Sequence, residues 1–457
     1  MNSPTVKIIS NCFIKPKHEL PNSNKNPIFL GQFDLAMLSV QYIQKGLLFN
    51  KHHHDDESSI LALLANLMDS LALALDDFYP LAGRLSTTIH EDDHSCSTFI
   101  IPVKGLGAGF IHARVDMCIN DVFSTVDIPR VVQSFFDHDR AVNHDGHDRP
   151  LVSVQVTELV DGVFFGCSMN HAVADGTSFW HFFNTWSRIH MTGNRGIDGS
   201  IPWPPIHERW FLDSSNPSFK LPFVHPDEFV SRYEAPEMRE RIFHFSAHSL
   251  KAIKARANSD FDRTTISSFQ ALSALVWRCI IRARRQPRDQ ETSCRIAINN
   301  RLRLEPPVSQ GYFGNLIQTV RGITLAGELL ENSLGWAAML LHQAVIGHND
   351  KAVQETCKAW VKSPFVYQLG AFFDPNSVMM GSSPRFDMYG NEFGLGKAVA
   401  VLSGYANKFD GQVSAYQGYE GEGSVDLEMC LSPASMSSLE SDDEFMEAVS
   451  PSHFELA

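Results

Sequence analysis

The sequence of 457 residues is short of cysteine, of positive charge and of long uninterrupted apolar runs, and each shortage excludes a class of protein. Its eight cysteines form no Cys-x-x-Cys pair and are too sparse for a disulfide scaffold, so reduced and mostly buried thiols are expected. There are 38 basic against 52 acidic side chains, which gives a net charge of −14. A surface this acidic argues against non-specific binding of nucleic acid and against an anionic membrane partner.

The N-terminus shows no basic stretch followed by an apolar run, so no secretory signal is evident. The most apolar long segment, Leu61–Leu75, is interrupted by polar residues and is expected to be too short to span a bilayer. Together these features predict a protein of the reducing cytoplasm without a membrane partner.

The motifs of several enzyme classes are absent as well, namely a Walker A loop, a His-Glu-x-x-His pair and a Gly-x-Ser-x-Gly elbow. Two histidine-rich stretches, 51–57 and 138–148, raise the question of a metal site. Both lie in polar, turn-forming sequence, where loose histidine tracts seldom fix the geometry of a ligand set. Solvated loops and no bound metal are therefore expected.

The spacing of apolar residues predicts helices and strands in similar proportion in both halves of the chain. A proline-rich stretch without periodicity, 201–227, separates the halves and is typical of a crossover. We therefore expect an N-terminal domain over 1–200, a linker over 201–235 and a C-terminal domain over 236–457. The predicted helices cover 58–75, 179–189, 246–257, 266–281, 329–346, 354–369 and 436–449, and the predicted strands cover 98–103, 151–160, 163–169, 294–298, 315–320, 398–402 and 424–431.

The most informative stretch of the chain is His171-Ala172-Val173-Ala174-Asp175-Gly176. The bare His-x-x-x-Asp spacing recurs elsewhere in the chain and means little by itself. This copy, however, follows an apolar strand and precedes an amphipathic helix, so His171 is expected at the end of the strand, where rigid structure holds it. Asp175 is expected to cap or orient the turn, and Gly176 to allow close approach of a backbone or a ligand. The residues alone leave open a catalytic or a structural histidine.

This stretch resembles the HxxxD motif of the plant BAHD acyltransferases, and three further segments agree with that family in order along the chain. They are Tyr-Pro-Leu-Ala-Gly-Arg at 79–84, Ser-Phe-Gln-Ala-Leu-Ser-Ala-Leu-Val-Trp-Arg at 268–278 and Gly-Tyr-Phe-Gly-Asn at 311–315. The residues at 176–183 are most similar to a sub-branch of uncharacterised acetyltransferase-like members.

The resemblance implies an α/β fold of two chloramphenicol-acetyltransferase-like domains with a channel between them. It implies transfer of an acyl group from acyl-CoA to a hydroxyl or amine of a small specialised metabolite, with His171 as general base. Acyl-CoA would be a co-substrate, with no bound cofactor, and Asp175 would support the turn without relaying a proton. The partners would then be a small-molecule donor and acceptor, and a monomer is expected.

The second signature of the family, Asp-Phe-Gly-Trp-Gly, is altered here to Glu392-Phe393-Gly394-Leu395-Gly396. The resemblance implies a structural loop, supported by Gly394 and Gly396, whose acid pairs with an arginine. Glu392 would be that acid, and the candidate arginines are Arg301 and Arg303. Leu395 replaces an indole, so either the pocket is reshaped or the donor site is weakened.

Four further positions have open roles. Ser267 and Ser268 are candidates for contact with the CoA arm or for capping the helix that follows. Ser39 and Tyr312 are candidates to line the acceptor or acyl pocket, or to pack in the interior. The degraded signature loop also keeps open a second function, that of a CoA-independent lyase acting on a small conjugate on the same fold.

Overall fold

The computed structural model describes residues 4–51, 57–193, 203–210, 219–260, 265–372, 374–421 and 423–451. The histidine tract at 52–54 and two prolines of the proline-rich stretch, at 202 and 217, lie outside the described residues.

The described residues form strands and helices that alternate along both halves of the chain. The strands are β1 Lys7–Ile14, β2 Ile28–Phe29, β3 Ile43–Asn50, β4 Arg84–His90, β5 Ser95–Ile101, β6 Ala108–Arg114, β7 Val152–Glu158, β8 Gly162–Met169, β9 Arg239–Phe245, β10 Glu291–Asn299, β11 Ile317–Leu325, β12 Val378–Ser382, β13 Ala400–Ser403, β14 Gln412–Gln417 and β15 Val425–Leu431. The α-helices are α1 Gln32–Leu35, α2 Glu57–Asp77, α3 Ile119–Phe123, α4 Gly176–Thr192, α5 Ala247–Asn258, α6 Ser268–Ala283, α7 Ala326–Glu331, α8 Leu334–Gly347, α9 Asp350–Lys362, α10 Leu369–Phe372, α11 Pro433–Leu439 and α12 Asp443–Met446. Short 3-10 helices cover Asn22–Lys25, Tyr79–Ala82, Glu91–Asp93, Arg130–Phe135, Asn143–His147 and Pro226–Glu228.

The first sheet has six strands in the order β1-β6-β7-β8-β3-β13. Strands β7 and β8 form the predicted antiparallel hairpin, with Val152 opposite Met169. Every residue of these two strands is buried, so they lie at the centre of the first half of the molecule. His171 follows the end of β8 and is therefore anchored by the most buried pair of strands.

The second sheet also has six strands, in the order β11-β10-β12-β14-β15-β9. Its central strand β12 runs parallel to both of its neighbours. The helices α5, α6 and α8 contribute to the apolar core on its face. The predicted helix over 329–346 is two helices in the structure, because Ser333 accepts a hydrogen bond from the backbone of Trp336 and starts α8 anew.

One strand of the second half belongs to the first sheet. Strand β13 pairs antiparallel with β3, with Ala400 opposite Leu48. The sequence-based boundaries assign this segment to the C-terminal unit, so they do not anticipate that the second half contributes a strand to the sheet of the first half.

The altered signature loop, 392–396, leads into β13 and is held by its phenylalanine. Phe393 is fully buried, and its ring centroid lies 4.8 Å from that of Trp186 and 5.1 Å from that of Phe165. Gly394 and Gly396 have φ values of +77° and +78°, which favour glycine. Leu395 is half-buried and packs at the margin of the same core. The loop therefore inserts an aromatic anchor from the second half into the first.

Helix α2 is 21 residues long and confirms the predicted helix over 58–75. By length and composition alone, its residues Ser58–Asp77 are long and apolar enough to cross a membrane, so the expectation that this segment is too short for a bilayer is wrong. In the structure Leu67, Leu71 and Leu75 are buried in the first core. Ser70 Oγ accepts a hydrogen bond of 3.1 Å from Trp186 Nε1 on α4. The helix thus packs against the helix that follows the HxxxD motif.

Candidate active site

His171 lies in the short loop between β8 and α4, at the junction of the two halves. Its backbone N–H donates a 2.7 Å hydrogen bond to Asn143 Oδ1 in the first half. Its Nδ1 lies 3.2 Å from Oδ1 of Asn315, which precedes β11 in the second half. The side chain is half-buried. The histidine is therefore held from both halves and keeps part of its surface open.

The orientation of the Asn315 amide determines which nitrogen of His171 carries the proton. Asn315 Nδ2 donates to the His171 carbonyl at 2.6 Å and to Asp34 Oδ1 at 3.0 Å. Both partners are acceptors, so this end of the amide is the nitrogen and the end facing His171 is the oxygen. An oxygen at that place accepts a hydrogen bond from Nδ1–H, so the proton is on Nδ1. In the neutral imidazole Nε2 is then unprotonated and can act as a base.

Asp34 is itself fixed from behind by residues outside the HxxxD motif. Its Oδ2 lies 2.8 Å from Arg209 Nε and accepts a 3.0 Å hydrogen bond from the backbone N–H of Gly31. Arg209 comes from the proline-rich crossover and also donates to the Val173 carbonyl at 3.2 Å. Asp34 and Arg209 are both buried. A chain of contacts therefore runs from the crossover through Asp34 and Asn315 to His171.

The surroundings of His171 favour the neutral imidazole. Burial lowers the pKa of His171 below its ordinary value because it disfavours the charged form. Hydrogen bonding to the backbone at His171 and Ala174, the nearby Asp175 carboxylate and the hydrogen bond to Asn315 all raise this pKa, but they do not outweigh burial. The imidazole is accordingly neutral near physiological pH, which is the form that a general base requires.

The Asp175 carboxylate forms a buried ion pair with Arg301, which does not fit a role in relaying a proton. Its two carboxylate oxygens lie 2.7 Å from Nη1 and 3.1 Å from Nη2 of Arg301. They also accept hydrogen bonds of 2.9 Å from the backbone of Ser178 and 3.0 Å from that of Leu316. Arg301 lowers the pKa of Asp175, which is fully buried. Asp175 thus caps α4 and joins it to the second half, as a structural support does.

Gly176 follows Asp175 at the start of α4, beside an aromatic ring. A Cβ atom at this position would lie 3.3 Å from the ring of Phe386. The close approach that was expected of a backbone or a ligand is made here by a side chain of the second half.

Glu392 does not form the expected ion pair with Arg301 or Arg303. Its side chain is exposed, whereas Arg301 is fully buried behind α4, where Asp175 supplies the carboxylate. Arg303 donates instead to the backbone carbonyl groups at 345 and 348. The expectation is wrong because the signature loop is anchored through the ring of Phe393 and not through its acid.

Ser267 caps helix α6, and Ser268 begins it. Ser267 Oγ accepts a 3.2 Å hydrogen bond from the backbone of Gln270, whose side chain accepts one of 3.0 Å from the Ser267 N–H. The structure therefore accounts for Ser267 as an N-cap, and its contact with a CoA arm stays a prediction, as does that of Ser268.

Ser39 and Tyr312 have interior partners. Ser39 is buried and exchanges hydrogen bonds with the backbone of Ser231, accepting at 2.7 Å and donating at 3.3 Å. Tyr312 is buried beneath the Arg301 guanidinium, whose central carbon lies 5.3 Å from the ring centroid. Burial raises the pKa of Tyr312. Both contacts fit the packing alternative better than a pocket wall.

Sequence reasoning missed Asp34 and Arg209, and it quoted Asn315 only as part of a motif. Asn315 had a usable signal, because it is a polar residue that opens a predicted strand directly after Gly-Tyr-Phe-Gly. Asp34 and Arg209 had none, because they are far apart in the chain and meet each other and Asn315 only in the folded protein. Neither residue lies in a stretch whose pattern differs from ordinary polar sequence.

The remaining histidine-rich stretch is only partly solvated. His144 and His147 are half-buried, and burial lowers the pKa of His144 to about 4. His147 Nδ1 donates to the His144 carbonyl at 2.7 Å, and its Nε2 lies 2.8 Å from Thr87 Oγ1. The expectation of a solvated loop is therefore wrong here, since the rings are packed and hydrogen-bonded.

One grouping of possible metal ligands occurs among the described residues, formed by Cys279, Asp442 and Glu444. Arg282 already pairs with both carboxylates, at 2.6 Å and 2.5 Å. Burial raises the pKa of the Cys279 thiol, so it is protonated at neutral pH. The donor set suits an ion pair with arginine. The absence of a metal requirement stays a prediction.

Comparison with known proteins places this chain in a class. A family model described as the Transferase family matches residues 4–446. An uncharacterized acetyltransferase of Arabidopsis thaliana is 34% identical over 97% of this chain and 99% of its own length. The BAHD acyltransferase DCR of Arabidopsis thaliana is 33% identical over 96% of this chain and 92% of its own length.

Two solved structures share the fold over almost the whole chain. Vinorine synthase superposes with a TM-score of 0.73 at 18% sequence identity and covers 99% of this chain and 100% of its own. F. sporotrichioides TRI101, complexed with coenzyme A and T-2, superposes with a TM-score of 0.73 at 17% identity and covers 93% of this chain and 99% of its own.

The fold is thus the expected α/β arrangement of two chloramphenicol-acetyltransferase-like domains, and the protein is a transferase of acyl groups. The chain belongs to the BAHD acyltransferases, the Transferase family that the model describes.

Proposed function

We propose that the protein transfers an acyl group from an acyl-CoA thioester to a hydroxyl or amine of a small molecule, with His171 as the general base. The observation that carries this proposal is the hydrogen bond between His171 Nδ1 and Asn315 Oδ1, because it leaves Nε2 as the basic nitrogen. The half-buried position of the ring between the two domains supports access for two substrates.

The reaction requires one proton to be moved twice. His171 Nε2 takes the proton of the acceptor hydroxyl or amine, and the freed oxygen or nitrogen attacks the thioester carbonyl carbon. The resulting tetrahedral intermediate collapses with cleavage of the carbon–sulfur bond, and the imidazolium returns the proton to the departing thiolate. Binding of both substrates beside one histidine supplies the proximity, so a covalent acyl-enzyme is not needed.

Asp175 acts in this scheme by position alone. Both of its oxygens are taken by Arg301 and by two backbone N–H groups. Its carboxylate therefore holds the loop that carries His171 and takes no proton from the imidazole. Asn315 is the positioning residue for the ring, since it contacts both Nδ1 and the carbonyl of the histidine.

The use of coenzyme A is supported by the TRI101 structure of the same fold, which contains that molecule. No observation on the described residues favours the CoA-independent lyase, so that alternative is not proposed. A cytoplasmic location and a monomeric state stay predictions from the sequence.

Calorimetric titration of the folded protein with coenzyme A and acetyl-CoA tests the donor. Micromolar binding, about −8 kcal/mol, is the expected result. The same titration with a His248→Ala variant serves as a control, since His248 is exposed on α5. Absence of binding by coenzyme A and by a panel of acyl-CoA thioesters would contradict the proposal.

A further inference from the structure

Four N–H groups face the carboxylate of Asp34 on helix α1, two at each oxygen. Asn315 donates to Oδ1 from its backbone N–H and from its side-chain Nδ2, both at 3.0 Å. At Oδ2, the backbone N–H of Gly31 donates at 3.0 Å, and Nε of Arg209 lies at 2.8 Å. Asp34 is only 1% exposed, so these groups and not water satisfy the carboxylate.

An ionised carboxylate suits this arrangement, and an amide of the same shape does not. A carboxylate offers acceptor oxygens on both sides, whereas an asparagine at position 34 would present an NH₂ group to two of the four donors. A buried donor that loses its acceptor is costly, because no water replaces the lost partner. The donors that meet at position 34 therefore require an aspartate there.

The negative charge of Asp34 is balanced inside the protein. Arg209 is also buried, and its guanidinium is itself held by backbone carbonyl groups. Nη2 donates to the Val173 carbonyl at 3.2 Å, and Nη1 donates to the Phe313 carbonyl. The ion pair is thus tied both to the HxxxD turn and to the segment that precedes Asn315.

A second buried ion pair holds the backbone on the other side of Asn315. The backbone N–H of Leu316 donates to Asp175 Oδ2 at 3.0 Å, and Arg301 Nη2 donates to the Gly314 carbonyl at 3.1 Å. Two carboxylate–guanidinium pairs therefore clamp this segment of the chain. With its backbone fixed, the Asn315 side chain takes the orientation that the groups facing its amide allow.

The Asn315 amide passes on the orientation that Asp34 imposes, without passing on its charge. A carboxylate in direct contact with an imidazole stabilises the imidazolium and raises the histidine pKa. The oxygen that lies 3.2 Å from His171 Nδ1 belongs to a neutral amide. It holds the proton on Nδ1 and raises the pKa less than a carboxylate in its place would.

We propose that Asp34 is a positioning residue for His171. It fixes the amide of Asn315, which in turn fixes the proton on Nδ1, and Arg209 neutralises its charge. A reversed amide would turn its oxygen towards two acceptors and its NH₂ group towards Nδ1. The imidazole would then carry its proton on Nε2 and lose its basic nitrogen. The catalytic value of this geometry rests on the proposed function, whereas the tautomer is independent of any substrate.

Nitrogen-15 NMR of the full chain labelled at histidine reads the tautomer directly, at a mildly alkaline pH where the imidazole is neutral. The signals of His171 are those that a His171→Ala protein lacks. In the wild type, Nδ1 should be protonated and Nε2 unprotonated. In Asp34→Asn, the oxygen of the new amide should stay with the charged guanidinium of Arg209, so its NH₂ group faces Asn315 and reverses that amide. The proton should then move to Nε2.

Turnover gives a second reading of the same change. Asp34→Asn should lower kcat about tenfold or more and change KM little, as part of the roughly 10²–10⁴-fold contribution of a positioned general base. The matched control is Asp137→Asn, since Asp137 accepts hydrogen bonds from Ser153 Oγ and from the backbone of His138. The control should keep both the wild-type tautomer and the wild-type kcat.

A wild-type protein with the proton on Nε2, or an Asp34→Asn protein with the wild-type tautomer, overturns the inference. A reversed tautomer with unchanged kcat would confirm the role of Asp34 and contradict His171 as the base, so the two failures are distinguishable. Hydrogen exchange in the wild type decides the matter where Asp34→Asn does not fold. Both Nδ2 protons of Asn315 should be protected, and free exchange of either one overturns the inference.

Discussion

Asn315 contacts His171 twice, through its side-chain oxygen at Nδ1 and through its side-chain nitrogen at the carbonyl oxygen. The two residues come from different domains and are 144 positions apart in the chain. The second domain therefore sets the tautomer of a histidine that the first domain carries. The correct docking of the domains is thus a condition for a basic Nε2.

Replacement of Asn315 by alanine should impair catalysis more than folding. The substitution removes the acceptor at Nδ1 and the side-chain donor to the His171 carbonyl, whereas Asp34 Oδ1 keeps the hydrogen bond from the backbone N–H at 315. Because the imidazole loses the acceptor that fixes its tautomer, a roughly tenfold to hundredfold fall in kcat is expected, equivalent to about 1–3 kcal/mol in the activation barrier. Steady-state kinetics with saturating donor measure this effect.

The matched control for this variant is Asn332→Ala, since Asn332 is exposed and bonds within its own helix terminus. It should retain wild-type kcat. Equal activity of the Asn315→Ala and Asn332→Ala proteins would show that the amide does not position the histidine.

Removal of Asp175 should mainly cost stability. Asp175→Ala leaves the Arg301 guanidinium buried without its carboxylate, and breaking such a pair costs about 3–5 kcal/mol. The exposed pair of Lys351 and Glu355 offers a control, because Lys351→Ala should change stability by less than about 1 kcal/mol. Chemical denaturation measures both. Similar midpoints for the two variants would refute the structural role of Asp175.

In the signature loop, the contribution of Phe393 to stability should exceed that of Glu392. Phe393→Ala removes a buried ring that packs against Trp186 and Phe165, and a loss of about 3–5 kcal/mol is expected. Glu392→Gln changes an exposed side chain and should be nearly neutral. Thermal unfolding of the two variants tests the difference. A larger loss for Glu392→Gln would restore the ion-pair role that the resemblance implies.

The pH dependence of kcat/KM reports the state of His171. Burial lowers its pKa, so the neutral, basic form persists to lower pH than in a free histidine, whose pKa is about 6.5. Activity should therefore be constant through neutral pH and fall only below pH of about 6.5, as the imidazole takes up a proton. A pH–rate profile measures the acidic limb, and far-UV circular dichroism at each pH excludes unfolding as its cause. A limb at or above the ordinary histidine value would contradict this environment.

Local patterns in the sequence predicted the parts of the fold that depend on local periodicity. The hairpin of β7 and β8 and the amphipathic helices α2, α4, α5 and α6 follow from apolar spacing, which is a property of neighbouring residues. The position of β13 in the first sheet does not follow from local apolar spacing. Next to this strand, Phe393 packs against aromatic residues that lie more than two hundred positions earlier in the chain. Apolar spacing, a property of neighbouring residues, does not encode such a contact.

The candidate site divides in the same way. His171 stood out because a strand, a turn and a helix follow one another around it. The sequence-based expectation paired Glu392 with Arg301 or Arg303, whereas Arg301 pairs with Asp175 in the structure. Charge and spacing alone do not say which carboxylate reaches Arg301 in the interior. Asp34 and Arg209 meet Asn315 only in the folded chain, so their contribution needed the structure.

The most direct test of the account compares His171→Ala with the exposed control His248→Ala. The measurement is the rate of coenzyme A thiol release with an acyl-CoA donor and an alcohol or amine acceptor that the wild-type protein turns over. We predict that His171→Ala binds the donor normally, remains folded and loses about 10²–10⁴-fold in kcat, the usual contribution of a positioned general base. A His171→Ala protein that retains the wild-type rate would contradict the assignment of the base.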